Sequence, residues 1–213
     1  MCGCELALNT SILTPDSQLT THPHSNNPMR TFIAIELSDQ ICEALAQIQA
    51  HLKYSGADVK WIETANIHLT LKFLGDITEE NCGKIKSILD EIVRSIKPFE
   101  MSIKDIGAFP NINYPRVIWI GLDKGTVESK ALAEKISEEV LKIGFQKEPR
   151  PFAPHLTIGR VRSPKNKEAL KEKIGSCQLP MVKPQLISSI ILFQSTLTPK
   201  GPIYTKIHEA KLG

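Results

Sequence analysis

Two short stretches carry residues that could do acid–base chemistry together: His68-Leu69-Thr70-Leu71 and His155-Leu156-Thr157-Ile158. A lone His-x-Thr is a weak signal, and a single strand histidine is as a rule a hydrogen-bonding part of the scaffold. Two copies are a different matter. Each sits inside a strand-like run with aliphatic residues at alternate positions. On a strand, residues i and i+2 point to one face. His68 and Thr70 therefore share a face, as do His155 and Thr157, while Leu69, Leu71, Leu156 and Ile158 anchor the reverse sides.

An imidazole beside a hydroxyl, twice over, suits attack on a cyclic phosphodiester. The nucleophile needs a base and the leaving oxygen an acid. Histidine titrates near neutrality and can fill either role. The hydroxyls of Thr70 and Thr157 can hydrogen-bond the non-bridging oxygens as negative charge builds there. A strained cyclic diester has an internal leaving group, so neither metal nor cofactor is expected. Two histidines without a clear third ligand also fit zinc poorly. The chain carries no P-loop, no G-x-S-x-G and no H-E-x-x-H. Alternation along the strands puts Lys72 on the face of His68, where a solvated lysine is expected. It turns Arg160 away from His155 unless the strand bulges near Gly159.

The framework that holds these residues can be read from periodicity and caps. Phe32–Leu37 has a strand pattern, and Ser38 is placed to cap a helix carrying Ile41, Ala44, Leu45, Ile48 and Leu52. Short strands come next, near 59–62 and 67–74. Thr78 caps a second helix with Ile85, Ile88, Leu89, Ile92 and Ile96 on one face, ended by Pro98. The second half repeats the theme. Strands are expected at 99–106 and 117–122. A helix runs from about Thr126, with Gly144 suited to its C′ position. A strand at 155–161, a helix near 164–174 and a last strand at 186–193 complete it. Several connections are too short for parallel crossovers. The expectation is an α+β protein with largely antiparallel sheets and helices packed outside.

With 213 residues, 41% of them hydrophobic, the chain can bury a sizeable core. Its net charge of +3 permits an anionic ligand without demanding a nucleic-acid-coating surface. Basic residues thicken after position 145, which reads as a solvated helix and its flanks. No apolar run is longer than four residues, as in Ile190–Phe193, far short of a membrane span. Five irregularly spaced cysteines and no secretory leader point to reduced thiols and a cytoplasmic protein. Residues 1–28 read as a disordered N-terminal extension. Cys2-x-Cys4 and His22-x-His24 within it lack the pattern of a zinc site, and Met29 is a candidate start. Residues 29–213 are expected to form a single domain.

On these residues the chain resembles the 2H phosphoesterase superfamily, marked by two H-x-[ST]-x motifs. Within it, it is most similar to the RNA 2′,3′-cyclic phosphodiesterases, historically called 2′-5′ RNA ligases. Arg30–Ile35, Asn66–Gly75, Phe152–Arg160, Ser195–Leu197 and Gly201–Tyr204 carry the likeness, which spans Met29 to about Leu212. The resemblance implies a bilobal fold with pseudo-twofold symmetry and a central cleft. It implies hydrolysis of an RNA 2′,3′-cyclic phosphate to a 2′-phosphate, with His68 as proton donor to O3′ and His155 as proton acceptor. Thr70 and Thr157 would bind the phosphate, and Arg160 would contact the substrate. The expected partner is an RNA or oligonucleotide ending in a cyclic phosphate. The protein is expected to be a monomer with no membrane partner. Two alternatives stay open: a module that binds RNA termini without turnover, and a 2H enzyme acting on another cyclic phosphate or a 2′-5′ linked nucleotide.

Overall fold

The computed structural model describes residues 28–199 and 201–213. The extension expected at 1–28, with its Cys and His pairs, lies outside the described residues apart from Pro28. The first strand, β1 (Met29–Glu36), leads into α1 (Asp39–Lys53), and β2 (Val59–Trp61) and β3 (His68–Ile77) come after it. Then come α2 (Glu79–Val93), β4 (Phe99–Met101), β5 (Ile103–Phe109), β6 (Val117–Leu122) and α3 (Thr126–Leu141). The chain ends with β7 (His155–Val161), α4 (Lys167–Gly175), β8 (Gln185–Ile187), β9 (Ser189–Thr198) and β10 (Gly201–Lys211). No described helix is long and apolar enough to cross a membrane.

Two four-stranded sheets divide the work. One has the order β10-β9-β1-β3 and the other β2-β7-β6-β5, with β4 and β8 forming a small third sheet. Every pairing among the described residues is antiparallel. The chain is thus α+β, as its short connections require. The sheets also exchange strands. The first takes β9 and β10 from the far end of the chain, and the second takes β2 from the first half.

Local signals explain the helix ends. The Ser38 hydroxyl accepts from the Ile41 N–H at 3.4 Å, and the Thr78 hydroxyl accepts from that of Asn81 at 3.2 Å. Each cap is worth about 1 kcal/mol. The apolar faces of α1, α2 and α3 enter one continuous core that also holds Leu69, Leu71, Leu156 and Ile158. Full burial of such a side chain contributes roughly 1.5–3 kcal/mol. Those four therefore pin both motif strands from behind.

Some elements differ from expectation in ways the structure explains. The run 99–106 breaks at Ser102, whose N–H and C=O bond the 123–124 loop instead of a strand. The run 186–193 breaks at Ser188, because β8 pairs with β4 while β9 pairs with β1 and β10. Helix α4 begins at Lys167, since Asn166 sits in the left-handed region at φ 52°. β10 has no counterpart in the expectation. Its mixed polar sequence with Pro202, Lys206 and Lys211 is that of an edge strand.

Candidate active site

β3 and β7 pack against one another, which brings together the strands that carry the two motifs. Each histidine is held by the same device. His68 Nδ1 lies 3.0 Å from the carbonyl oxygen of Asn66, and His155 Nδ1 lies 2.7 Å from that of Ala153. A carbonyl only accepts, so Nδ1 carries the proton in both rings. Nε2 is left as the nitrogen free to take up or release one. The bond runs in both cases to the residue two positions earlier, just before the strand starts, and it fixes the ring's orientation as well as its tautomer.

Strand parity holds for the first three residues of each motif. Thr70 lies opposite Ala34 and His68 opposite Glu36, on one face of the first sheet. In the second sheet Thr157 lies opposite Trp119 and His155 opposite Gly121. Both strands then take in one extra residue. Leu71 has no partner between the pairs Ala34–Thr70 and Ile33–Lys72, and Ile158 has none between Trp119–Thr157 and Ile118–Gly159. An extra residue flips everything beyond it to the other face.

This corrects the strand-parity reading of Lys72. The slip at Leu71 turns Lys72 to the face opposite His68 and brings Phe73 to the histidine's side. Lys72 is also no solvated lysine, being only 4% exposed. The equivalent slip at Ile158 brings Arg160 onto the face of His155 and Thr157. Gly159 is where β2 presses closest, since a Cβ there would stand 2.8 Å from Val59 Cγ1. Lys60 of β2 pairs with Arg160 and shares its face.

The surroundings of the two rings differ. His68 stacks on Phe32 at 4.6 Å between centroids, with Phe193 at 6.2 Å and Tyr204 edge-on at 5.3 Å. Burial in this aromatic nest pushes its imidazole down to about 4, while the Asn66 carbonyl works weakly in the other direction. His155 meets Phe109 edge-on at 5.1 Å, and Phe109 in turn leans on Trp119 at 5.3 Å. The Trp119 ring lies over Gly107, where any Cβ would overlap it. Burial raises the Tyr204 hydroxyl, and the charges of Arg160 and Arg30 draw it part of the way back. Arg160 on β7 therefore acts on a ring that packs against His68 on β3.

Sequence reasoning named His68, Thr70, His155, Thr157 and Arg160. It missed Phe32, Phe109, Phe193 and Tyr204 as site residues. The available signal was that β1 and β9 are apolar at successive positions, which marks strands covered on both faces. Glu36, directly across from His68, is engaged by Lys206 at 2.6 Å. Among the described residues no group of three or more His, Cys, Asp or Glu gathers in a way that could hold a metal ion.

Comparison with known proteins shows what the chain as a whole is similar to. A family model described as LigT like Phosphoesterase matches the chain twice in tandem, over residues 35–119 and 120–204. The RNA 2′,3′-cyclic phosphodiesterase of Methanothermobacter thermautotrophicus is 39% identical over 184 residues, covering 86% of this chain and 99% of that relative. The protein of the same name from Methanocaldococcus jannaschii is 42% identical over 181 residues, covering 85% and 99%. A crystal structure of a Thermus thermophilus protein superposes with a TM-score of 0.72 at 26% identity, covering 86% of this chain and 98% of that one. The apo form of E. coli LigT, at 24% identity, shares the fold with a TM-score of 0.71, covering 87% and 98%.

Proposed function

We propose, given that this chain belongs to the LigT-like phosphoesterase family, that His68 and His155 open the cyclic phosphodiester as an acid–base pair. The chain is a hydrolase of RNA 2′,3′-cyclic phosphodiester ends, as are the relatives it matches over nearly their whole length. The chemistry needs one group on each side of phosphorus. His155 Nε2 takes a proton from water as the water oxygen bonds to phosphorus. The P–O3′ bond breaks, and His68 Nε2 delivers a proton to O3′, leaving a 2′-phosphate. Thr70 and Thr157 donate hydrogen bonds to the non-bridging oxygens, and Arg160 offsets their charge. No metal takes part in this scheme.

One observation carries the reading. Two rings on touching strands both have Nδ1 tied to a carbonyl, and both keep Nε2 for the substrate. The nest around His68 adds a condition. Its imidazole is neutral in the empty site at pH 7, so it becomes a donor only by taking up a proton when the anionic phosphate arrives. An anion within hydrogen-bond reach favours the imidazolium and supplies that shift.

The test is direct. Purified protein, given an RNA oligonucleotide with a 2′,3′-cyclic phosphate in the presence of EDTA, should yield the 2′-phosphate. Substitution of either histidine by Ala should cost about 10²–10⁴ in rate. An absolute need for added metal, or an oligonucleotide bound and recovered unchanged, would overturn the scheme. In the same reading residues 29–213 form the working unit and act as a monomer in the cytoplasm. A chain starting at Met29 should match the full chain in rate and elute at the monomer mass.

A further inference from the structure

Behind β3, on the face opposite His68, a groove runs between the strand and α3. Leu71, Lys72, Ala133, Leu141, Glu148 and Phe152 are among the residues lining it. Lys72 reaches into it with a side chain only 3% exposed. Its ammonium donates to the backbone carbonyl of Gln146 at 2.9 Å and to the Glu148 carboxylate at 3.3 Å. Burying a lysine is costly unless its charge is paired and hydrogen-bonded. If residues 146–148 moved away, the ammonium would be stranded, so their position is coupled to that of β3.

The segment after Glu148 gives this pairing its meaning. Pro149, Pro151 and Pro154 stiffen the next six residues, because each ring fixes its own φ. Within that short run lies Ala153, whose carbonyl receives the Nδ1–H of His155. The strand that presents His68 thus grips, through Lys72, the segment that aims His155.

We propose that Lys72 is a positioning residue. It ties the first motif strand to the approach segment of the second, and so sets His155 in register with His68 without touching substrate. The inference rests on the acid–base pair proposed above. A role confined to stability predicts something different: loss of the ammonium would lower the unfolding temperature and leave the turnover of folded molecules unchanged.

The test compares Lys72→Met, Lys72→Arg and Glu148→Gln with wild type at a temperature where all are folded by circular dichroism. One readout is steady-state turnover of an RNA 2′,3′-cyclic phosphate. The other is the ¹⁵N imidazole spectrum, which reports each tautomer without any turnover. Lys72→Met should lower kcat by about 10–100-fold, the scale of a small misplacement of a reacting group, with KM nearly unchanged. The His155 signal should shift from the Nδ1-protonated tautomer towards a mixture while that of His68 stays put. Lys72→Arg should recover part of kcat, and Glu148→Gln, which keeps the Gln146 contact, should lose less. A folded Lys72→Met protein with wild-type kcat and an unmoved His155 signal overturns the proposal. If that variant does not fold, Glu148→Gln decides, and an unchanged His155 spectrum there overturns it equally. Inactive wild-type protein would instead sink the acid–base reading, and the spectra would still report on the link.

Discussion

The rings of Phe32 and His68 lie 4.6 Å apart and nearly parallel, with an interplanar angle of 23°. That contact makes an ionisable group part of an apolar cluster, and it sets a pH dependence of stability. In the unfolded chain a histidine titrates near 6.5, whereas the nest holds His68 down at about 4. Between those values the unfolded chain binds the proton and the folded one does not. The stability tied to the neutral ring is therefore full above pH 6.5 and is lost as the pH falls to 4. The difference amounts to about 3 kcal/mol at most. Denaturant unfolding from pH 7 to pH 4 should show this slope, and His68→Phe should flatten it. An identical slope in that variant would place the titration elsewhere.

The same nest predicts an unusual rate profile. Because kcat/KM reports the free enzyme, and the doubly protonated pair with its base blocked loses its first proton from His68, the low-pH limb should fall near pH 4, well below the ordinary imidazole range. In kcat the limb should move upward, since the bound phosphate favours the imidazolium. Rates on a short cyclic-phosphate substrate between pH 3.5 and 9 would check this. A kcat/KM limb near 6.5 would contradict the burial of His68.

Arg160 reaches the face of His155 only because β7 takes in Ile158 as an extra residue. Its charge should count against a phosphate. Arg160→Met should lower kcat/KM by about 10–100-fold, the equivalent of one charged hydrogen bond of 1.5–3 kcal/mol. Arg160→Lys should retain part of that. Inorganic phosphate should inhibit the Met variant more weakly than wild type, which binding assays would show without turnover.

Trp119 lies across Gly107 and supports Phe109, the ring that meets His155 edge-on. Gly107→Ala should push the indole off the sheet at a cost of about 1–3 kcal/mol. Tryptophan fluorescence should change and unfolding should come at lower denaturant. An unshifted spectrum with wild-type stability would mean that the ring does not rest there.

Much of this site was legible because a strand repeats every two residues. That period alone put His68 with Thr70 and His155 with Thr157, and it put Leu69, Leu71, Leu156 and Ile158 in the core. It failed at Lys72 for a physical reason. A single extra residue in a strand leaves no mark in an apolar pattern, yet it reverses every side chain beyond it. The equivalent slip at Ile158 turned Arg160 to the face of His155. Phe32 and Phe193 were hidden differently, because an aromatic that shields a histidine reads in sequence like any other core residue. Lys72 also shows the limit of composition rules. Its partners, Gln146 and Glu148, lie far along the chain, and only the folded backbone brings them near.

The nest around His68 draws Phe193 from β9 and Tyr204 from β10, two strands that lie beyond the second motif in the chain. A nascent polypeptide that has already exposed both His-x-Thr motifs still lacks the two rings that quiet the first of them. The surroundings of the first motif are therefore completed only by strands that follow the second, and a segment stopping at β7 would leave His68 open to water and to protonation.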